Sequence, residues 1–217
     1  MNLTTFWHVA IMGSWELVTR EQAAMFAQVG LRPRIGIVGP PCNRDFSQIG
    51  DVLFHHPDVR EAETPTVQAL WEWCKSLEHP ENEAVLYCHT KGVSRPHNTK
   101  WLAWRLLMEK WVVRRWSENL VLLEHNDIVG VNYRDAAPAL RFGPHFSGNF
   151  WMARADWVRQ LVSPVELRNS VAPRRKRYAP EMFICCKPGY RFVSLCCQQQ
   201  MFAHGKLVYR LLHAPIT

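Results

Sequence analysis

Three polar residues follow directly on an apolar run near the middle of the chain. The run is Val85-Leu-Tyr-Cys88, and His89, Thr90 and Lys91 lie between it and Gly92. Consecutive apolar residues, with no polar residues alternating between them, are typical of a strand that is covered on both faces. The carboxyl end of such a strand is where an α/β sheet contacts its ligand. There, Lys91 can neutralise a diphosphate without a metal ion, and His89 can donate to a phosphate or a sugar hydroxyl. The alternative is a solvent-facing loop in which Lys91 contacts only water.

A second segment, His145-Phe-Ser-Gly-Asn-Phe-Trp151, interleaves polar and aromatic residues. Aromatic faces pack against the apolar faces of sugars, and asparagine and histidine supply directional hydrogen bonds. Glycine permits a close backbone approach. The segment predicts part of a sugar pocket, shaped by His145, Ser147, Gly148, Asn149 and Trp151. The alternative is a tight turn that enters a core strand, with its aromatic rings buried.

Two isolated charged residues are further candidates. Arg105 follows Trp101 at i+4 on a predicted helix, so both side chains can face one cleft. Glu181 begins a short amphipathic helix, where a carboxylate can be a catalytic base or can simply favour the helix dipole. Zinc binding is disfavoured because the cysteines and histidines lack paired spacing. Ser147 lacks the flanking glycines of a hydrolase nucleophile.

The elements that must position these residues alternate between strands and helices. Predicted strands cover residues 6–12, 34–38, 51–54, 85–88 and 127–131, with a turn and a strand in 145–154. Predicted helices cover 15–29 and 64–77, two helical stretches between 101 and 116, and short helices from 156 and 180. This alternation predicts an α/β fold with a mostly parallel central sheet, flanked by helices, in which the 85–88 strand is central. We expect one domain over residues 1–217.

Composition indicates a globular protein with a substantial core, since 47% of its 217 residues are hydrophobic and 12% aromatic. The longest apolar runs are too short for a membrane span, and the first residues lack the basic region of a signal peptide. We therefore expect a cytoplasmic protein with reduced thiols. The formal net charge is +7, but the basic residues are dispersed apart from Arg174-Arg-Lys-Arg177. That tetrad predicts a solvated loop or contact with phosphate or an anionic membrane. No nucleic-acid-binding signature is visible.

Several motifs together resemble a family of small glycosyltransferase-like proteins of bacteria and large viruses. They are His8-Val-Ala-Ile-Met12, Trp15-Glu-Leu-Val18, Tyr87-Cys-His-Thr-Lys-Gly-Val-Ser94, Val129-Gly-Val-Asn-Tyr-Arg134, His145-Phe-Ser-Gly-Asn-Phe-Trp-Met-Ala153 and Arg177-Tyr-Ala-Pro-Glu181. More broadly, the order of segments is similar to GT-A nucleotide-sugar transferases, and this implies a single GT-A-like, Rossmann-related domain. His204-Gly-Lys206 looks like a reduced form of a C-terminal phosphate-contact segment in some of them. The acidic metal-binding pair of those enzymes is replaced here by His89-Thr-Lys91.

The resemblance implies an enzyme that transfers a sugar from a nucleotide-sugar donor to a glycan or polysaccharide acceptor. Catalysis would fall to Lys91, His89 and Glu181, with Mn²⁺ or Mg²⁺ usable but not essential. The implied substrate-binding residues are Thr66, Thr90, Arg105, Asn132, His145, Ser147, Gly148, Asn149 and Trp151. Two other hypotheses remain: a carbohydrate- or nucleotide-binding module without catalysis, and a basic RNA-binding accessory protein.

Overall fold

The computed structural model describes residues 1–95, 98–135 and 143–196. The His204-Gly-Lys206 segment lies outside this range. The strands are β1 (Asn2–Ala10), β2 (Arg34–Val38), β3 (Asp51–His56), β4 (Glu83–His89), β5 (Ile128–Gly130), β6 (Tyr133–Arg134), β7 (His145–Phe146), β8 (Trp151–Arg154) and β9 (Phe192–Ser194). The α-helices are α1 (Trp15–Gln28), α2 (Thr64–Ser76), α3 (Thr99–Met108), α4 (Trp116–Leu122), α5 (Ala155–Val158), α6 (Pro164–Ser170) and α7 (Ala179–Phe183). Within these described ranges, no helix combines the length and apolar character needed to cross a bilayer.

The central sheet has seven strands in the order β3-β2-β1-β4-β8-β5-β9. Strands β1 to β4 run parallel to one another, β8 is antiparallel to both of its neighbours, and β9 is parallel to β5. The predicted mixed α/β fold with a mostly parallel sheet is therefore confirmed. Strand β4 is fourth of the seven, which confirms its predicted central position.

Helices cover both faces of the sheet. On one face, Trp7 and Cys88 pack in a core with Phe26 of α1 and Leu107 of α3. On the other face, Phe6, Tyr87 and their neighbours pack against α2. Successive residues of β1 and β4 thus enter different cores. Two apolar faces explain why the β4 sequence does not alternate between apolar and polar residues.

The strand order also creates a crevice. From β1 the chain passes through α1 to β2 on one side, and it later returns to place β4 on the other side of β1. Helices α1 and α2 lie on opposite faces of the sheet. After β4 the chain continues to β5, which lies on the side of β4 away from β1, so the direction of the connections reverses between β1 and β4. An open α/β sheet binds ligands at such a switch point.

Helix α2 begins at Thr64, and Glu63 occupies its N-cap position. Pro65 lies in the first turn, where its missing N–H costs no hydrogen bond. Ala62 precedes the cap with a positive φ of 49°. This turn directs the Glu63 side chain toward the crevice instead of toward the amides of α2.

Candidate functional site

A cavity of about 510 Å³ opens at the carboxyl ends of β1 and β4, and we call it the β1/β4 cleft. It is lined by strand ends, by the loop after β4, and by residues at the starts of α2, α3 and α7. The polar and aromatic residues in this lining are His8, Glu63, His89, Thr90, Lys91, Ser94, Arg95, Trp101, Trp104, Arg177, Tyr178 and Glu181. The three predicted catalytic residues are all among them.

Hydrogen bonds join the loops that form the floor of the cleft. The Ala10 amide donates to the Thr90 hydroxyl at 2.9 Å, and the Thr90 amide donates to the His8 carbonyl at 3.0 Å. The Ser14 amide donates to the Val93 carbonyl at 3.0 Å. Thr90, predicted to bind substrate, thus also supports the backbone of β1. These bonds hold the end of β1 against the loop that carries Lys91.

Lys91 lies along the aromatic wall of the cleft. Its Nζ is 4.7 Å from the Trp104 ring centroid and 5.5 Å from that of Trp101. The same atom is 3.9 Å from Oε1 of Glu181, and the Lys91 side chain is 13% exposed. An ammonium over an indole face is attracted by the negative potential of the ring, more strongly where water is excluded. Lys91 is therefore held at the cleft instead of extending into solvent.

Two buried histidines lie next to each other at the ends of β1 and β4. Nδ1 of His8 is 2.9 Å from the Thr66 hydroxyl, and Nε2 of His89 is 2.9 Å from the Gly148 carbonyl. Burial lowers the pKa of His8 to about 4. Burial, with a further contribution from Lys91, lowers the pKa of His89 to about 3. Both rings are neutral at physiological pH, so neither provides a cation for a diphosphate.

Glu63 is a cleft residue that the sequence analysis missed. Its Oε2 accepts hydrogen bonds from the Tyr87 hydroxyl at 2.9 Å and from the Asn149 amide at 2.6 Å. Its Oε1 lies 3.6 Å from Nδ1 of His89. The only local signal that distinguishes Glu63 from Glu61 is its position immediately before the Thr-Pro start of α2. Glu61 pairs with Arg168 at 3.1 Å instead.

The predicted sugar-pocket residues Asn149 and Trp151 lie behind the cleft, and this placement corrects the expectation that they line it. Both are 0% exposed. The Trp151 ring stacks on Tyr87 at 5.3 Å, and its Nε1 donates to Oδ1 of Asn149 at 2.8 Å. Because the indole can only donate, the Asn149 amide nitrogen must face Glu63. The two residues therefore orient a cleft carboxylate while remaining in the core.

The remaining residues of that segment support a turn. Gly148 has φ of 98°, and an added Cβ would lie 2.4 Å from the Met108 sulfur. The amide of Ser147 donates to the Asn132 carbonyl at 3.0 Å. Asn132 is buried, and its side-chain amide donates to the Ser147 carbonyl at 3.3 Å. Nδ1 of His145 is 2.9 Å from the Gly143 carbonyl. Of this group, Gly148 acts on the cleft directly, through the carbonyl that bonds His89.

Arg105 is also placed differently from the expectation that it faces the cleft and binds substrate. Its side chain is 3% exposed and is paired with Glu109 at 3.0 Å and with Glu21 of α1. Glu109 in turn accepts from Gln22, which also donates to the His89 carbonyl at 3.0 Å. Burial raises the pKa of Glu109, while Arg105 opposes that shift. Arg105 thus belongs to a buried network beneath β4. Thr66, expected to bind substrate, is likewise buried, and its hydroxyl is hydrogen-bonded to His8.

Cationic and anionic groups meet in the cleft. Besides Lys91, it is lined by Arg95, whose guanidinium lies 5.0 Å from the Trp101 ring centroid, and by Arg177, which contacts Tyr178. Glu63 and Glu181 are the carboxylates of the lining. In the part of the chain that the structure describes, no group of three or more His, Cys, Asp or Glu side chains is arranged to hold a metal ion. Such a lining suits a ligand with an anionic group and a flat or hydroxyl-bearing ring.

A larger cavity, of about 790 Å³, lies at the ends of β1 and β2 beside the start of α1. Its lining includes Trp15, Arg20, Pro40, Cys42 and Arg44. It lacks the buried ionisable residues that meet in the β1/β4 cleft. Perturbed ionisable groups in a concavity are a better indication of a functional site than volume is. We therefore take the β1/β4 cleft as the candidate site.

Comparison with known proteins identifies a family without an assigned activity. No curated protein matches the chain. A family model described as a domain of unknown function (DUF8361) matches residues 41–191 of the 217. The matched range includes β4, Lys91, Glu63 and Glu181, and it excludes β1 with His8. Because the model covers more than half of the sequence, the chain belongs to the DUF8361 family.

Proposed function

We propose that this protein is a glycosyltransferase that uses a nucleotide-sugar donor and a glycan or polysaccharide acceptor. The observation that carries the proposal is the lining of the β1/β4 cleft. Lys91 and Arg95 lie over the indole rings of Trp101 and Trp104, and Arg177 lines the same cleft, at the switch point of a mostly parallel sheet. Cations suit the diphosphate of a nucleotide sugar, and aromatic faces suit its base or sugar.

Sugar transfer requires that something stabilise the negative charge on the departing nucleoside diphosphate. Lys91 is placed for this role because it is partly desolvated and adjoins open cleft volume. Arg95 and Arg177 add bidentate donors that match phosphate geometry. Glu181 is the proposed base for the acceptor hydroxyl, and its proximity to Lys91 brings the base and the leaving-group cation to one side of the cleft. Mn²⁺ or Mg²⁺ could assist but is not required in this proposal.

The finer fold assignment, a GT-A-like domain, belongs to the same proposal. Support comes from the order of the segments along the chain. The strand β4 ends in His89-Thr-Lys91, β5 follows, and the turn of Gly148 then enters β8. In this arrangement the lysine occupies the place of the acidic metal motif of GT-A transferases. The proposed donor site is the crevice between β1 and β4.

The proposal is tested by ligand-induced stabilisation followed by assay of donor breakdown. We expect at least one of UDP-glucose, UDP-N-acetylglucosamine and GDP-mannose to raise the melting temperature, since a ligand at a hundred times its Kd stabilises by about 2.7 kcal/mol. The same compound should release free nucleotide slowly in the presence of protein. Stabilisation without release would favour a non-catalytic binding module. Salt-sensitive binding of RNA of any sequence, with no effect of nucleotide sugars, would favour the RNA-binding hypothesis.

A further inference from the structure

Two hydrogen-bond acceptors face each other at the inner wall of the β1/β4 cleft. The first is Nδ1 of His89. Its other nitrogen, Nε2, is 2.9 Å from the Gly148 carbonyl, which can only accept, so Nε2 carries the proton of the neutral ring. The ring stays neutral because burial lowers the pKa of His89 to about 3. Nδ1 therefore presents a lone pair.

The second acceptor is Oε1 of Glu63. The other carboxylate oxygen, Oε2, already accepts from the Tyr87 hydroxyl and the Asn149 amide. Burial raises the pKa of Tyr87 well above its usual value, so the phenol keeps its proton and remains a donor. Oε1 lies 3.6 Å from Nδ1 of His89, beyond hydrogen-bond distance. Among the described residues, neither atom has a hydrogen-bond donor.

We propose that Glu63 Oε1 and His89 Nδ1 together bind two neighbouring hydroxyl groups of a sugar, a vicinal diol. The inference deepens the proposed function and rests on it. A single hydroxyl has one proton and can satisfy only one of the two acceptors. Adjacent ring hydroxyls supply two donors at a separation that matches two acceptors 3.6 Å apart. Buried acceptors left unpaired are costly, so such a site rejects sugars that lack one of the hydroxyls.

The pair is held rigidly, as selective recognition requires. Tyr87, Asn149 and Trp151 form a chain of donors and stacked rings that orients Glu63. The His89 ring is oriented by the Gly148 carbonyl. Because these partners lie in the core, neither acceptor can turn away to find a different donor at little cost. Selectivity for a diol is thus built into the packing behind the cleft.

The test compares hydroxyl discrimination in the parent protein and in two glutamine variants. Probes are UDP-glucose, GDP-mannose and their analogues lacking one sugar or ribose hydroxyl, with affinities measured by calorimetry. In the parent, loss of one hydroxyl of the bound diol should weaken binding about ten- to a hundredfold. In Glu63→Gln, the amide of the glutamine can donate to Nδ1 of His89 and so occupy the acceptor meant for the sugar. This variant should therefore bind the parent compounds and the deoxy analogues equally well. Glu61→Gln, a surface carboxylate two residues earlier, should retain the discrimination.

A second measurement separates this inference from the proposed function. The ¹⁵N resonance of His89 Nδ1 reports hydrogen bonding to that atom, and free glucose and mannose serve as probes. A shift in the parent that is absent in Glu63→Gln supports the diol site even if no nucleotide sugar binds, in which case only the transferase proposal fails. If no sugar or nucleotide sugar shifts the resonance, or if deoxy analogues bind as well as their parents, the diol site is wrong.

Discussion

Among single residues, Lys91 has the clearest mechanistic role in the proposed transfer. Its ammonium is bounded by the Trp104 ring, the Trp101 ring and Glu181, and it adjoins the open cleft. If it meets the departing diphosphate, Lys91→Ala should lower turnover by about 10²- to 10³-fold, the usual result of removing one electrostatic stabiliser. Lys91→Arg should recover only part of that loss, because a guanidinium fork differs in shape from an ammonium. Steady-state assay of nucleotide release measures both effects.

Lys75→Ala is the matched control for this prediction. Lys75 also lies over an indole, 5.3 Å from the Trp71 ring centroid, but it is exposed and near the end of α2. Its removal should leave turnover unchanged. Activity of the parent should persist in excess chelator. If chelation abolished activity and Mn²⁺ or Mg²⁺ restored it, the role assigned to Lys91 would be contradicted.

Two tryptophans allow a core role and a cleft role to be distinguished. Trp151 is 0% exposed and stacks on Tyr87, whereas Trp101 is partly exposed at the cleft. We expect Trp151→Ala to lower the free energy of unfolding by about 3–5 kcal/mol, the usual cost of truncating a buried aromatic ring. Trp101→Ala should cost less stability and should weaken nucleotide-sugar binding more. Urea unfolding and calorimetry measure the two effects. A Trp151→Ala variant as stable as the parent would place that ring outside the core.

At the scale of elements, the turn between β1 and α1 depends on one glycine. Gly13 has φ of 52°, and an added Cβ would lie 2.0 Å from the Val93 carbonyl oxygen in the loop after β4. Gly13→Ala should therefore push apart the two loops that form the cleft floor. We expect a loss of stability and of ligand affinity together, because the Ser14 amide also bonds Val93 there.

Gly30, at the end of α1, is the matched control for Gly13. Its φ is 69°, but an added Cβ would meet nothing within 4 Å. Gly30→Ala should cost only the strain of a left-handed conformation, about 1–2 kcal/mol, with unchanged ligand affinity. Thermal unfolding and ligand titration of both variants provide the comparison. Equal losses for the two would mean that the contact between the two loops contributes little.

For the whole molecule, two buried histidines predict acid sensitivity. The pKa values of His8 and His89 are about 4 and about 3, below the ordinary 6.5. As pH falls below 6.5, the unfolded chain takes up these protons before the folded one does, so stability falls from about pH 6.5 down to the folded pKa values. The raised pKa of Glu109 acts in the opposite direction and offsets part of this loss. Each pKa unit corresponds to about 1.4 kcal/mol, so the loss should reach a few kcal/mol.

Urea unfolding between pH 7 and pH 4 measures this dependence. His8→Asn should weaken the dependence of the free energy of unfolding on pH, since the asparagine amide can replace Nδ1 near the Thr66 hydroxyl but does not titrate. A parent protein equally stable at both pH values would show that the histidines are solvated or charged in the folded state.

Local sequence determined most strands of the central sheet and the position of the polar residues that follow β4. The unbroken apolar run 85–88 predicted a strand covered on both faces, and β4 is central. The polar residues after it predicted a site at the strand end, and His89, Thr90 and Lys91 do line the cleft. Periodicity and turn residues are properties of neighbouring positions, so they were sufficient for these elements.

Only the tertiary structure decided which side chains reach the cleft. Glu63 is hydrogen-bonded to Asn149, which lies 86 positions later in the sequence, and His89 is hydrogen-bonded to Gly148, 59 positions later. Arg105 and Trp101 share a helix, yet Arg105 enters a buried network with α1 while Trp101 lines the cleft. Such pairings depend on strand order and on which face of the sheet each helix covers. The sequence pattern of a single segment specifies neither the strand order nor the face that a helix covers, because these follow from packing the whole chain around its two cores.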